Sequence, residues 1–264
     1  KLYDWGILPS TSFDKPRIVV VGNLSVGGTG KSPLVTYLVQ NWRGDDRLGI
    51  LSRGYGRKTK GYLEVKVDST AEEVGDEPLA YKTVFPQLPV VVCENRVRGV
   101  QQMPEVDVLL LDDAFQHRSV KGAINLVCST FSQPFYNDSM LPLGRLRESA
   151  KGIKRADAVI VTRCPGILTK EQKSNFAQGV LRNTKEEKPI FYTSVRYGKP
   201  QGPREYLPSK WSLFAGIADP KPFFTYAASL GQIQEEVIYA DHHRFTEIEL
   251  LELEQQAKMM AGDE

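Results

Sequence analysis

Two short stretches hold residue types that could do phosphate chemistry. The first is VGNLSVGGTGKSP, residues 21–33, in which Gly27, Gly28 and Gly30 lead into Lys31 and Ser32. Glycines let consecutive backbone N–H groups turn inward around oxyanions, a lysine adds a positive charge, and the following hydroxyl can hold a divalent cation. The spacing is that of a phosphate-binding loop, G-x-x-x-x-G-K-[ST], except that Ser25 stands at its first position. Val26, Gly27, Gly28, Thr29, Gly30, Lys31 and Ser32 are therefore the expected nucleotide contacts, with Lys31 reaching the β- and γ-phosphates. The second stretch is VDVLLLDDAFQHR, residues 106–118, where Asp112 and Asp113 end an apolar run. A phosphate loop of this kind works with an acid at a neighbouring strand tip that organises the metal. Asp112 and Asp113 are both candidates to hold Mg²⁺ together with Ser32.

The elements that must position these residues are legible as hydrophobic runs. RIVVVG (17–22) is β-branched and continuous rather than alternating, which predicts a parallel strand buried on both faces. After the loop, SPLVTYLVQNW puts Leu34, Val35, Leu38, Val39 and Trp42 on one helical face, with Pro33 in a first turn that tolerates it. Strand-like runs recur at 48–52, 88–93, 107–113, 124–129 and 156–162, and TKEQ (169–172) has the capping-box pattern of a helix start. This alternation predicts an α/β fold, a P-loop NTPase-type, mostly parallel sheet with flanking helices. Near residue 196 the composition changes: residues 196–210 carry three prolines and two glycines. The expected organisation is a P-loop domain at 1–195, a linker or hinge at 196–208 and a smaller α/β domain at 209–264. Within the last, a strand is expected at 211–218, a helix start at Asp219-Pro220, a strand at 235–240, and a helix opened by a capping box of Thr246 and Glu249.

Composition narrows the function classes. With 41% hydrophobic and 25% charged residues the chain is of ordinary globular type. A formal net charge of +2 gives no bulk electrostatic case for nucleic acid. Cys93, Cys128 and Cys164 lie far apart without metal-ligand spacing and are expected as reduced thiols, Cys93 and Cys128 buried in strand-like runs. No apolar stretch reaches the ~18 residues of a membrane span, and no signal peptide is visible. The chain opens at Lys1 rather than at a methionine, so a further native N-terminal segment is expected, one that could carry a membrane anchor. Of the two common nucleotides, ATP is favoured over GTP. The guanine-reading N-K-x-D or T-K-x-D pattern falls on TRCP, where Pro165 replaces the carboxylate.

In order along the chain, VGNLSVGGTGKSP, SRGYGR (52–57), GDEP (75–78), DDAFQHR (112–118), LPLGRLRE (141–148) and AGIADPKPFF (215–224) resemble the tetraacyldisaccharide 4'-kinases of lipid A biosynthesis. The resemblance runs from LYDWG near the start to DHHRFT (241–246). It implies a peripheral enzyme on the cytoplasmic face of a Gram-negative inner membrane. Such an enzyme transfers the ATP γ-phosphate to the 4'-hydroxyl of an acylated glucosamine disaccharide 1-phosphate, with no obligatory protein partner. It also implies that the chain continues past Glu264 and that the small domain is incomplete here.

Such a substrate wants arginines for its phosphate and apolar surface for its acyl chains. Arg53, Arg57, Arg118, Arg145 and Arg147 lie in loops after strands or in turn-rich stretches, where ligands of open α/β sheets collect. Arg53, Arg118 and Arg145, together with Asn23, Asp76, Glu77, Gln116 and His117, form the expected substrate-binding set. His117 could equally support a neighbouring group by a hydrogen bond, and Asp76 and Glu77 could simply begin a helix. Leu2, Tyr3, Trp5, Ile7 and Leu8 offer a short interfacial patch or a staple onto the core. The family pattern places a proton-accepting aspartate before an arginine after one strand, paired with a histidine of the second domain. This chain reads CENRVRG there, with Asn95 at the aspartate position, so Glu94 or His242 is the alternative acceptor and Asp241 a possible orienting partner. Bringing His242 to the loop would require hinge motion around 196–208. A reading from another class, a nucleotide-dependent switch or assembly ATPase acting on a protein partner, needs no acceptor site, no base and no arginine-rich loops.

Overall fold

In a computed structural model, residues 3, 8–198, 200, 210–217, 219–241, 243 and 245–261 are described. The chain divides into two units, Lys1–Val195 and Arg196–Glu264. Of the expected hinge, residues 199 and 201–208 lie outside the described residues.

The continuous apolar runs become the middle of a sheet. In chain order the elements of the first unit are β1 (Arg17–Asn23), α1 (Lys31–Asn41), β2 (Leu48–Ser52), β3 (Leu63–Glu64), α2 (Ala71–Val74), α3 (Asp76–Val84), β4 (Val90–Val92), α4 (Arg96–Gln102), β5 (Val108–Asp112), β6 (Ile124–Thr130), β7 (Ala158–Thr162), α5 (Lys170–Thr184) and β8 (Ile190–Tyr192). The eight strands run β3-β4-β2-β5-β1-β6-β7-β8, all parallel except β3 against β4. β1 lies between β5 and β6, with Val20 opposite Leu111 and Val21 opposite Asp112. The glycine-rich loop and the Asp112 tip therefore emerge side by side at the carboxyl rim, where open α/β sheets bind ligands.

Alternation along each central strand feeds two cores. Ile18 and Val20 of β1 and Leu109 and Leu111 of β5 pack on one face with Val100 of α4 and Phe176 and Val180 of α5. Val19, Val21, Val108 and Leu110 pack on the other with Leu34 and Val35 of α1, Val74 of α2 and Tyr81 of α3. Each such side chain contributes about 1.5–3 kcal/mol when fully buried. All three cysteines are free and buried. The capping box read at TKEQ forms, Gln172 N–H donating to Thr169 Oγ1 (3.1 Å) and Thr169 N–H to Gln172 Oε1 (2.9 Å).

The second unit is a β-α-β ribbon, with β9 (Lys210–Ala215) parallel to β10 (Gln232–Ile238) and α6 (Lys221–Ala228) between them in sequence, followed by α7 (Glu247–Ala261). Leu213, Ala215, Phe224 and Ala227 form its small core. β10 begins three residues earlier than the run EEVIYA suggested and ends at Ile238, because Gln232 to Gln234 continue its alternation of exposed and half-buried side chains. At Thr246 and Glu249 the reciprocal bonds of the second capping box are present.

Candidate active site

The loop between β1 and α1 is held from beneath. Asn23, fully buried, donates from Nδ2 to Thr29 Oγ1 (2.7 Å), and Thr162 Oγ1–H on β7 donates to the Thr29 carbonyl (2.8 Å). Gly27 (φ 92°) and Gly30 (φ 80°) take the left-handed conformation that an L side chain resists, and a Cβ on Gly30 would come 3.1 Å from the Thr162 side chain. Ser25 at the motif's first position is 5% exposed and has no positive φ, so the glycine of the usual pattern is not required there. Gly30 caps α1 without a side-chain hydrogen bond. Among the described residues, nothing accepts a hydrogen bond from the N–H groups of Gly28, Thr29, Gly30 or Lys31. These donors sit at the positive end of the helix, free for an anion. Two expected contacts are redirected. The Val26 N–H donates to the Arg145 carbonyl (2.8 Å), which removes it from the phosphate cradle, and Asn23 braces the loop instead of facing a substrate.

Asp112 and Asp113 are adjacent and differently placed. Asp112 ends β5, 4% exposed, and accepts from the Tyr81 hydroxyl at Oδ2 (3.1 Å). Its Oδ1 is buried without a partner. Burial pushes the Asp112 carboxyl up to about 6, against the pull of Lys31 and with the help of Asp113 and Glu77. Asp113 turns out of the strand with φ 47° and meets Lys31 Nζ (3.5 Å) and Arg147 Nη1 (2.9 and 3.0 Å). Burial alone would raise Asp113, but Lys31 and Arg147 outweigh it and hold the carboxyl below the usual range. The Ser32 side chain acts on the Tyr81 hydroxyl, which donates to Asp112, so all three gather at the foot of the loop. Arg96 lies 1% exposed under this turn and donates to the carbonyls of Cys93 (2.7 Å) and Asp112 (3.5 Å). Its burial lowers the guanidinium to about 10, still charged at neutral pH.

Elsewhere on the rim, Gln116 donates to the Asn23 carbonyl (2.7 Å) and to Glu148 (3.0 Å), which Arg155 in turn grips (2.7 Å). His117 accepts from the Arg96 N–H at Nε2 (3.4 Å), which assigns its proton to Nδ1. Burial, then the charges of Arg96 and Arg53, lower the His117 pKa. Asp76 and Glu77 occupy the first turn of α3, where acids complement the helix dipole, and the charge of Glu77 is felt at Asp112. Arg53 is exposed, Arg118 lies over the Tyr3 ring (5.2 Å), and Arg145 pairs with Asp138 (3.3 Å). Arg57, 2% exposed at its side chain, is tied to the Gly61 carbonyl and Glu94.

At residues 94–95, both candidate side chains are already engaged. Glu94 is bonded to Arg57 (2.6 Å) and to the Gly61 N–H (2.9 Å). Burial raises it, but its own backbone N–H, Arg57 and Gly61 outweigh this and depress its pKa, making it a weak base. Asn95 caps α4, accepting from the Arg98 N–H (3.1 Å). His242 lies outside the described residues. Sequence reasoning missed Tyr81 and Arg96. Each contacts Asp112 across sequence separations of 31 and 16 residues, and no local pattern marks them.

A strand, a glycine-rich loop and a bare helix N-terminus, with a lysine facing a strand-tip carboxylate, make this a P-loop NTPase-type fold. The model of the tetraacyldisaccharide-1-P 4'-kinase (LpxK) family matches residues 1–262. Proteins named tetraacyldisaccharide 4'-kinase are 37% identical in Flavobacterium psychrophilum (97% of this chain, 77% of the relative) and 36% identical in Bacteroides thetaiotaomicron (100% and 74%). A crystal structure of LpxK from Aquifex aeolicus in complex with ATP superimposes with a TM-score of 0.69 at 30% identity, covering 93% of this chain and 78% of that one. The chain belongs to the tetraacyldisaccharide-1-P 4'-kinase family.

Proposed function

We infer that the chain is an ATP-dependent kinase that phosphorylates the 4'-hydroxyl of a tetraacyldisaccharide 1-phosphate in lipid A biosynthesis. One observation carries the reading. Free loop donors and Lys31 stand beside the strand-tip pair of Asp113 and the buried Asp112, in a chain matched to this family over residues 1–262. Phosphoryl transfer asks the protein mainly for positioning and charge neutralisation. The N–H groups of Gly28 to Lys31 would hold phosphate oxygens, and Lys31, aimed by Asp113, would neutralise charge on the transferred group. Arg147 keeps Asp113 ionised and in place.

The residues present fit a magnesium ion. Asp112 Oδ1 is a buried acceptor without a partner, while its Oδ2 is held by the Tyr81 hydroxyl on which Ser32 also acts. No cluster of three or more His, Cys, Asp or Glu side chains is present among the described residues, which suits an ion held by one or two protein groups and by phosphates. Ser32 and Asp112 are the proposed ligands, and Mg²⁺ bound there supplies charge neutralisation to the phosphates. With Glu94 and Asn95 engaged elsewhere, His242 is the proposed acceptor of the hydroxyl proton. The substrate set is narrowed to Arg53, His117, Arg118 and Arg145, with Asp76 and Glu77 at the α3 end and Gln116 as a brace.

The acceptor is an amphiphile, so the protein works at the surface of the cytoplasmic leaflet. No helix among the described residues is long and apolar enough to span a bilayer. The direct test supplies γ-labelled ATP, Mg²⁺ and the tetraacyldisaccharide 1-phosphate in detergent. Label on the lipid, absent with Lys31→Ala and sharply reduced with His242→Ala, is the expected outcome. Nucleotide turnover without labelled lipid would refute the reading.

A further inference from the structure

The loop at residues 139–147 exposes apolar side chains that its own backbone holds rigid. Leu143 is 92% exposed, Leu141 51% and Met140 47%. The segment is nonetheless pinned at both ends. Leu146 is 2% exposed, its N–H donates to the Ser139 carbonyl (2.9 Å), and its carbonyl accepts from Leu141 N–H (3.0 Å). Gly144 N–H donates to the Met140 carbonyl (3.1 Å), and Asp138 accepts from the Arg145 N–H (3.1 Å). A braced tip cannot fold its leucines away from water, and a protruding tip rather than a groove suits a soft, flat partner. Ile167, fully exposed in the loop after β7, lies on the same carboxyl rim of the sheet.

Charge points to the kind of surface. Residues 140–155 hold Arg145, Arg147, Lys151, Lys154 and Arg155 against Glu148 alone. The three arginines are engaged with Asp138, Asp113 and Glu148. Lys151 and Lys154 have no carboxylate partner among the described residues. Apolar side chains flanked by unpaired lysines are the chemistry of reversible binding to an anionic lipid surface. We propose that this loop, with Leu141 and Leu143 exposed on it and Lys151 and Lys154 exposed in the turn that follows it in sequence, docks the protein onto an anionic bilayer. The inference rests on the reading of the chain as a kinase of a lipid, and it names the surface that brings that lipid to the site. The same loop bonds to the phosphate cradle through the Arg145 carbonyl and grips Asp113 through Arg147, so docking would set the cradle's height over the bilayer.

The test is co-sedimentation of the full chain with vesicles of phosphatidylglycerol and phosphatidylcholine, against phosphatidylcholine alone. Wild type binds the anionic vesicles preferentially. Leu143→Asp weakens that binding roughly tenfold, and Lys151→Glu with Lys154→Glu does the same at low salt and far less at high salt. Leu143→Trp emission shifts to the blue on adding anionic vesicles. Melting temperatures and transfer to detergent-dispersed acceptor stay at wild-type levels in all these variants. Wild type that ignores the anionic vesicles, or a Leu143→Asp protein that binds them undiminished, overturns the proposal. Vesicle binding that needs Leu143, in a protein that labels no lipid in detergent, would sustain the docking surface and remove the kinase reading instead.

Discussion

Two strand tips on the same rim, β5 and β4 with β2 between them, carry polar pairs, and their fates differ. At the end of β5, Asp112 keeps one oxygen buried and unpartnered while Asp113 faces the loop lysine. Just past β4, Glu94 spends its carboxylate on Arg57 and Gly61, and Asn95 spends its amide oxygen on the first turn of α4. An acid at a strand tip is thus not a reactive acid by position. What matters is whether the fold leaves it a free lone pair and charges it against its burial. Asp112 is held at an energetic disadvantage, whereas Glu94 lies in a bonded minimum. Function and stability should therefore separate cleanly between the two tips.

The sharpest way to break this contrast is Asp112→Asn. If Asp112 serves the transferred phosphate, kcat falls by roughly 10²–10³-fold, the scale of losing one preorganised electrostatic group. Stability moves the other way. The folded pKa of Asp112 is raised to about 6, so its ionised form opposes folding at pH 7. An amide that keeps the Tyr81 bond should raise Tm by a few degrees. Lower Tm with intact activity would reverse the assignment of the two tips.

Tyr81→Phe asks how far the free oxygen depends on its fixed neighbour. Loss of the 3.1 Å bond to Oδ2 frees the Asp112 carboxylate to rotate. We expect kcat to drop about tenfold with a several-fold rise in the Mg²⁺ concentration for half-activity, the scale of a lost orienting partner of a metal ligand. An unchanged magnesium response would mean that Tyr81 only fills the core beneath α3.

Glu94→Gln tests the other tip. Arg57 is 2% exposed at its side chain and would lose its charged partner, while Glu94 is 41% exposed, so the cost is about 2 kcal/mol, below the 3–5 kcal/mol of a fully buried pair. Activity at saturating substrates should stay within a factor of about 3, consistent with the structural role assigned to the pair. The folded Glu94 pKa lies below its ordinary 4.5. The pair's contribution is therefore complete above that value and is lost as pH falls through the depressed one, and the variant should show a shallower acid limb of stability. A collapse of kcat with unchanged Tm would make Glu94 the proton acceptor after all.

The comparison also explains what the sequence could show. β1, β2, β5 and β7 were legible because strands buried on both faces read as unbroken apolar runs. The loop was legible because Lys31 and Ser32 follow Gly30 directly. β3 and β8, of two and three residues at the sheet edges, leave too short a pattern to read. The roles of Asn23, Val26 and Glu94 were not legible for another reason. Each is set by a partner distant in sequence or in an adjoining turn: Thr29 and Thr162 under the loop, the Arg145 carbonyl, and the Arg57 guanidinium. Motifs fix which residues could act. Only the packed partners decide which of them are already occupied.

The smallest expected effect lies at His117, between the two tips. Its Nε2 accepts from the Arg96 N–H, and burial together with the charges of Arg96 and Arg53 lowers its pKa below the ordinary 6.5. The imidazole is therefore neutral at pH 7 with its proton on Nδ1, and a donor, not a cation, is what it presents to a ligand. Nitrogen-detected NMR titration should show His117 titrating below free histidine, with a modest rise in Arg53→Ala as one repelling charge is removed. The linkage has a definite sign. The unfolded chain takes up the proton at the ordinary value while the folded chain resists it, so this group's contribution to stability falls as pH drops below 6.5. A His117 that titrates at or above 6.5 would mean that Arg96 does not lie beneath it. The shared support that links the Asp112 turn to the α4 cap would then be gone.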